Sequence, residues 1–166
     1  MGQPGGKLGW LGRNVSHDRE LIELLAHEGI AGVKQTTMDL MQTETLVRTC
    51  GNKAVFNGHD EILLPALSVG VKASIGSTFS IMADVFIRLM KAFDAKDMER
   101  ARYLQGKANA MIKTLLEIGI FPAIKGVLKL QGIDCGNCIK PFQPLKTADY
   151  DKLEKALADL YDGEPA

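Results

Sequence analysis

The sequence predicts an α/β protein: short parallel βα units first, helices alone afterwards. Three observations carry this. A helical stretch, a glycine stop and a short apolar run recur in that order. Each run ends in a polar cluster. After residue 79 no further run of strand type occurs.

The elements follow in order. Residues 1–14 are glycine-rich and aperiodic, and are expected as a flexible tail. Ser16 is the expected cap of a helix from His17 to Glu28, with Leu21, Leu24 and Leu25 on one face and Gly29 as its stop. Ile30–Val33 is a short strand leading into Lys34. A second helix, Asp39 to Thr49, stops at Gly51, and Lys53–Phe56 forms the next strand. NGHDE (57–61) follows, then a short helix through ILLPALSVG ending at Gly70. Val71–Ile75 is the third strand and GST (76–78) comes after it. The strands lack strict alternation, as strands buried on both faces do. Helices are then expected at 80–93, 97–118, 121–130 with Pro122 in the first turn, and 148–161, with a proline-punctuated link, CIKPFQPLK (138–146).

Composition narrows the function classes. The chain has 166 residues, 46% hydrophobic and 24% charged, with a net charge of +0. Bulk charge therefore favours neither nucleic acid nor an anionic membrane, and no apolar stretch approaches the length of a membrane span. The beginning, MGQPGGKLGW, lacks the apolar core of a secretory signal, so the expected location is cytoplasmic. An odd count of cysteines (Cys50, Cys135, Cys138) fits reduced thiols. Cys135-Gly136-Asn137-Cys138 is a C-x-x-C without a second ligand pair, since His17, His27 and His59 lie far upstream; packing or loop cysteines are the expected reading, not a metal site. The methionines scattered through the later helices read as core.

In parallel βα proteins, function gathers at the C-terminal ends of strands. Three such ends are polar: Lys34 to Thr37, Asn57 to Glu61, and Gly76 to Thr78. Together they suggest a pocket with a lysine, carboxylates and hydroxyls. A lysine amine taken partly out of water favours its neutral form, which attacks ketones. The plainer reading is a strand-end lysine that snorkels to solvent. His59 beside Asp60 does not make a dyad, because neighbours on a strand point to opposite faces. Asp60 and Glu61 could equally open the next helix, and Gly76-Ser77-Thr78 could be an ordinary helix cap.

GVKQT, NGHDE, IGSTFSIM, IGIFPAIK and CIKPFQPL stand in the order and spacing of a known family. From about Gly29 to Leu157 the chain resembles the dihydrodipicolinate synthase/N-acetylneuraminate lyase family of class I pyruvate-dependent aldolases. KQT, NGxDE and GST favour its sialic acid lyase branch. The resemblance implies strands six to eight of a (β/α)8 TIM barrel over residues 16–93, a C-terminal helical extension over 94–166, and a non-family tail over 1–15. It implies Lys34 as the Schiff-base nucleophile and Thr36 as a substrate hydroxyl contact. Gly58, Asp60 and Glu61 would hold the sugar's hydroxyl chain, Gly76 and Ser77 would contact substrate from strand eight, and Phe121 would line the pocket. His59 departs from the tyrosine usual in the lyases. The implied reaction is reversible cleavage of N-acetylneuraminate to N-acetylmannosamine and pyruvate, with no cofactor beyond the Schiff base and no metal.

Such a barrel takes about 250 residues. The expectation is thus a C-terminal portion whose barrel is incomplete in this chain. It would be impaired or inactive alone, and either self-associating or completed by an N-terminal half that holds a carboxylate-binding Ser/Thr turn and a proton-relay tyrosine. Two other readings remain: another pyruvate-dependent aldolase, acting on 2-keto-3-deoxy acids or as a dihydrodipicolinate synthase, and a non-catalytic assembly module.

Overall fold

The computed structural model describes residues 18–163. The expected glycine-rich tail and the Ser16 cap lie outside the described residues. The elements run α1 (Asp18–Leu25), β1 (Gly32–Gln35), α2 (Leu40–Thr49), β2 (Ala54–Asn57), a 3-10 turn (Asp60–Ile62), α3 (Leu63–Ser68), β3 (Ala73–Ser74), α4 (Phe79–Asp94), α5 (Met98–Ile118), α6 (Ile120–Leu130) and α7 (Thr147–Tyr161). They fall into two compact units. One comprises the described residues up to His59 with Pro65–Ile75; the other comprises Asp60–Leu64 and the residues from Gly76 onward.

The first unit is built on a parallel sheet of order β1-β2-β3. Lys34 pairs with Phe56, Gln35 with Asn57, and Asn57 in turn with Ser74. Lys34 thus belongs to the strand itself, and β1 begins and ends two residues later than expected. β3 is shorter than expected because the Val71 N–H is spent on Ala66 O at the close of α3, 3.1 Å away, before the ladder begins. α1 also stops early, at Leu25, and a turn runs on to Gly29. Its inward face centres on Leu21 and Leu25, which are buried with Leu46 of α2, and takes in Ile22. Leu24, expected on that face, is turned outward. Lys53 ties this corner down: its Nζ donates to Ile30 O at 2.6 Å and His27 O at 3.2 Å. Asp39 caps α2 through Oδ1, which accepts from Gln42 N at 3.0 Å.

The second unit is helical. α5 packs against α4, α6 and α7. Its face of Leu104, Ala108, Met111 and Leu115 is buried, as are Val85 and Leu89 of α4, Val127 of α6 and Leu153 of α7. Burying one such leucine stabilises by roughly 2 kcal/mol. Gly126 lets α6 approach closely: a Cβ there would lie 2.5 Å from Leu145 Cδ1 and 2.8 Å from Leu153 Cδ1. Asp97 caps α5 as Asp39 caps α2, accepting from Arg100 N at 3.0 Å. Among the described residues no helix is long and apolar enough to cross a membrane.

Candidate functional site

Each unit gathers part of the expected set. In the first, β1 and β2 run parallel in register, so the residues at their C-terminal ends are neighbours. Gly58 follows β2, and its N–H donates to Gln35 O at 2.8 Å, carrying the ladder one residue beyond the strand. This brings Gly58 against both Lys34 and Thr36. A Cβ on Gly58 would stand 2.1 Å from Thr36 Oγ1 and 3.0 Å from Lys34 Cε. The glycine is there because those two side chains fill its place. Lys34 is half-buried and Thr36 exposed, so the amine lies near the surface of its unit.

Asn57, only 3% exposed, locks the turn after β2. Its Nδ2 donates to His59 O at 2.5 Å and to Ser74 Oγ at 3.0 Å. Its Oδ1 accepts from His59 N at 3.3 Å. The His59 backbone is therefore fixed by Asn57 from within the loop.

In the second unit Asp60 opens the 3-10 turn, as one reading of the sequence expected, but its carboxylate does more than face a helix start. The residue is 5% exposed. Oδ2 accepts from Thr78 N at 3.0 Å and from Thr78 Oγ1 at 2.6 Å. Thr78 stands at the N-cap of α4 yet makes no side-chain cap bond; its hydroxyl is committed to Asp60. The ordinary-cap reading of Gly76-Ser77-Thr78 is thereby corrected. Asp60 Oδ1 is buried and has no hydrogen-bond partner among the described residues. Gly76 makes room for it, since a Cβ at Gly76 would fall 1.3 Å from that oxygen.

The other expected residues make their contacts elsewhere. Glu61 is half-buried, and its carbonyl accepts from Asn109 Nδ2 at 3.1 Å. Ser77 is exposed, and its carbonyl accepts from Ser80 Oγ at 2.8 Å. Phe121 is 51% exposed and stands edge-on to Phe142, with centroids 5.5 Å apart. Sequence reasoning missed Gln105 and Asn109 as neighbours of the Asp60 turn. The available signal was two amides four residues apart, beside the apolar stripe of α5. Cys50, Cys135 and Cys138 are free thiols. The C-x-x-C loop is held from below by Lys125, whose Nζ donates to Cys135 O at 3.0 Å and Asn137 O at 3.1 Å.

Residues 16–160 match the Dihydrodipicolinate synthetase family. An N-acetylneuraminate lyase of Rhizobium meliloti is 36% identical over 141 residues, which are 85% of this chain and 47% of that protein. The crystal structure of N-acetylneuraminate lyase from Fusobacterium nucleatum complexed with pyruvate superposes with a TM-score of 0.80 at 30% identity, covering 86% of this chain and 48% of that one. CdNal from Clostridium difficile, in complex with mannosamine, gives 0.79 at 30% identity, covering 83% of this chain and 48% of its own. The chain spans about half the length of the curated relatives it matches. On this ground the chain belongs to the dihydrodipicolinate synthetase family, with an α/β fold of that type.

Proposed function

We propose that this chain carries the Schiff-base half of a carbon–carbon lyase that cleaves N-acetylneuraminate to N-acetylmannosamine and pyruvate. In this reading β1, β2 and β3 are strands six to eight of a (β/α)8 barrel, over residues 16–93. Residues 94–166 are the helical extension. The parallel order of the strands supports it, and so does the match to lyases over about half their length.

Lys34 is the nucleophile. Its Nζ adds to the C2 ketone of the open-chain sugar acid, and loss of water leaves a protonated imine. The imine accepts the electron pair of the breaking C3–C4 bond, and N-acetylmannosamine leaves. The proton of the C4 hydroxyl goes to the tyrosine relay that the family resemblance places in strands one to five. Protonation at C3 and hydrolysis then release pyruvate and return the amine. The iminium is the electron sink, so the reaction as written calls on no cofactor. Thr36 contacts the bound acid, and Gly58 leaves space beside it. Asp60 and Glu61 take the hydroxyl chain, Gly76 and Ser77 contact substrate, and Phe121 supplies an apolar wall. The relatives solved with pyruvate and with mannosamine support a small-molecule substrate of this kind. Self-association of the chain is part of the same proposal. Alone, this segment is expected to turn over slowly, because the carboxylate-binding turn also belongs to strands one to five.

The observation that carries the reading is the packing of Lys34, Thr36 and Gly58 at two adjacent parallel strand ends. The test is pyruvate with borohydride, followed by intact mass and peptide mapping. A single reduced adduct on Lys34, absent in Lys34→Arg, is expected. No adduct, or label spread over many lysines, would refute the proposal. Offering N-acetylneuraminate and a shorter 2-keto-3-deoxy acid side by side then reads the substrate class.

A further inference from the structure

The 3-10 turn that carries Asp60 and Glu61 is three residues long and leads straight into α3. Two side chains of α5 hold it. Gln105 Nε2 donates to Asp60 O at 3.1 Å, and Asn109 Nδ2 donates to Glu61 O at 3.1 Å. Gln105 Oε1 accepts from Leu64 N at 2.9 Å, at the start of α3. The two amides are joined to each other, Gln105 Nε2 to Asn109 Oδ1, at 2.9 Å. Gln105 is 7% exposed, and these bonds use both its amide donors and its oxygen.

Capping α3 would need only the bond to Leu64. Two of the remaining bonds go to the carbonyls of the two residues to which the functional reading assigns the sugar's hydroxyls, and the third joins the two amides. Asp60 is thereby held at both ends: its backbone by Gln105 and its Oδ2 by Thr78. Only Oδ1 is left, buried and unpaired, to accept a bond from a ligand. We infer that Gln105 and Asn109 are positioning residues, an amide pair that sets the Asp60–Glu61 turn for a polyhydroxylated sugar. The pair acts on sugar affinity and not on imine formation at Lys34. This rests on the proposed function.

The experiment uses the full chain and two readouts: the dissociation constant for N-acetylmannosamine from NMR shift titration, and the yield of borohydride-trapped pyruvate on Lys34. Gln105→Glu keeps the acceptor for Leu64 N but loses both amide donors. Asn109→Leu loses the grip on Glu61 and leaves the α3 cap untouched. For each, the ratio of sugar affinity to pyruvate trapping is expected to fall about tenfold, the effect of one well-made hydrogen bond to a held group. Asn109→Gln is expected to recover part of that loss. An unchanged ratio in a cooperatively melting variant overturns the inference, whether neither readout moves or both fall together as a structural role requires. If Gln105→Glu does not fold, Asn109→Leu decides. A wild-type chain that neither traps pyruvate nor binds the sugar sinks the functional reading before any substitution is made, and the inference with it.

Discussion

The neighbourhoods of Lys34 and Asp60 are built by different means. Lys34 is placed by backbone: it is a residue of a parallel ladder, and its register with Phe56 decides where it stands. Asp60 is placed by side chains far away in sequence. Thr78 holds its carboxylate, and Gln105 holds its carbonyl from 45 residues further on. Ladder bonds form wherever two strands pair. The Asp60 network needs each partner individually, and a buried polar network with one member removed leaves the others unsatisfied. The Asp60 turn should therefore be the more sensitive to single substitutions, and the Lys34 end the more forgiving.

The widest gap between the two is expected from their glycines. Gly76→Ala puts a Cβ 1.3 Å from Asp60 Oδ1 and 2.2 Å from Asp60 Cγ, so the carboxylate must leave Thr78. Steric displacement and lost charge-assisted bonds together are expected to destabilise by about 3 kcal/mol. Urea denaturation measures it, and Gly76→Ala combined with Asp60→Ala should recover most of the loss in a double-mutant cycle. A fully additive cycle would remove Asp60 as the cause.

That difference also explains what was legible in the sequence. Elements whose signals are local were readable: the helices α2 and α5, the strands that carry Lys34 and Phe56, and the long apolar stripe of α5. The misreadings have local causes too. Leu24 and Ile22 flank the same helix stripe, and only packing against Leu46 selects Ile22. β3 lost residues because Val71 had a competing acceptor in Ala66 O. Of the candidate site, Lys34, Gly58 and Asp60 stood out as polar residues after apolar runs. Gln105 and Asn109 did not, since an amide on a helix carries no mark of the turn it will hold. Thr78 read as a cap because the residue before a helix usually is one.

Gly58→Ala tests the forgiving side. The added Cβ would be 2.1 Å from Thr36 Oγ1 and 2.9 Å from Thr36 Cβ. Thr36 is exposed and can turn its hydroxyl away, so the expected loss is about 1 kcal/mol, smaller than at Gly76. Thr36→Ala in the same chain removes the hydroxyl but keeps the Cβ, so it should restore part of the melting midpoint. A Gly58→Ala loss equal to that of Gly76→Ala would erase the contrast between the two neighbourhoods.

The smallest effect is expected at an exposed side-chain pair elsewhere in the second unit. Tyr161 Oη donates to Asp84 Oδ1 at 2.9 Å. Partial burial first, and then the bond to the Asp84 carboxylate, push the phenol up from 10.0 to about 12. The folded chain thus holds this proton more tightly than the unfolded chain does. The stabilisation is complete below pH 10, the unfolded value, and is lost as pH rises through about 12. Tyr161→Phe should therefore cost only a few tenths of a kcal/mol to about 1 kcal/mol at neutral pH, the range of a solvent-screened bond. It should also remove part of the fall in stability between pH 10 and 12. Urea midpoints of both chains across that window measure it. Parallel curves would mean that Tyr161 releases its proton alike in both states and that the Asp84 bond contributes nothing. A gap that closes as pH rises would show that even this exposed bond depends on its particular partner.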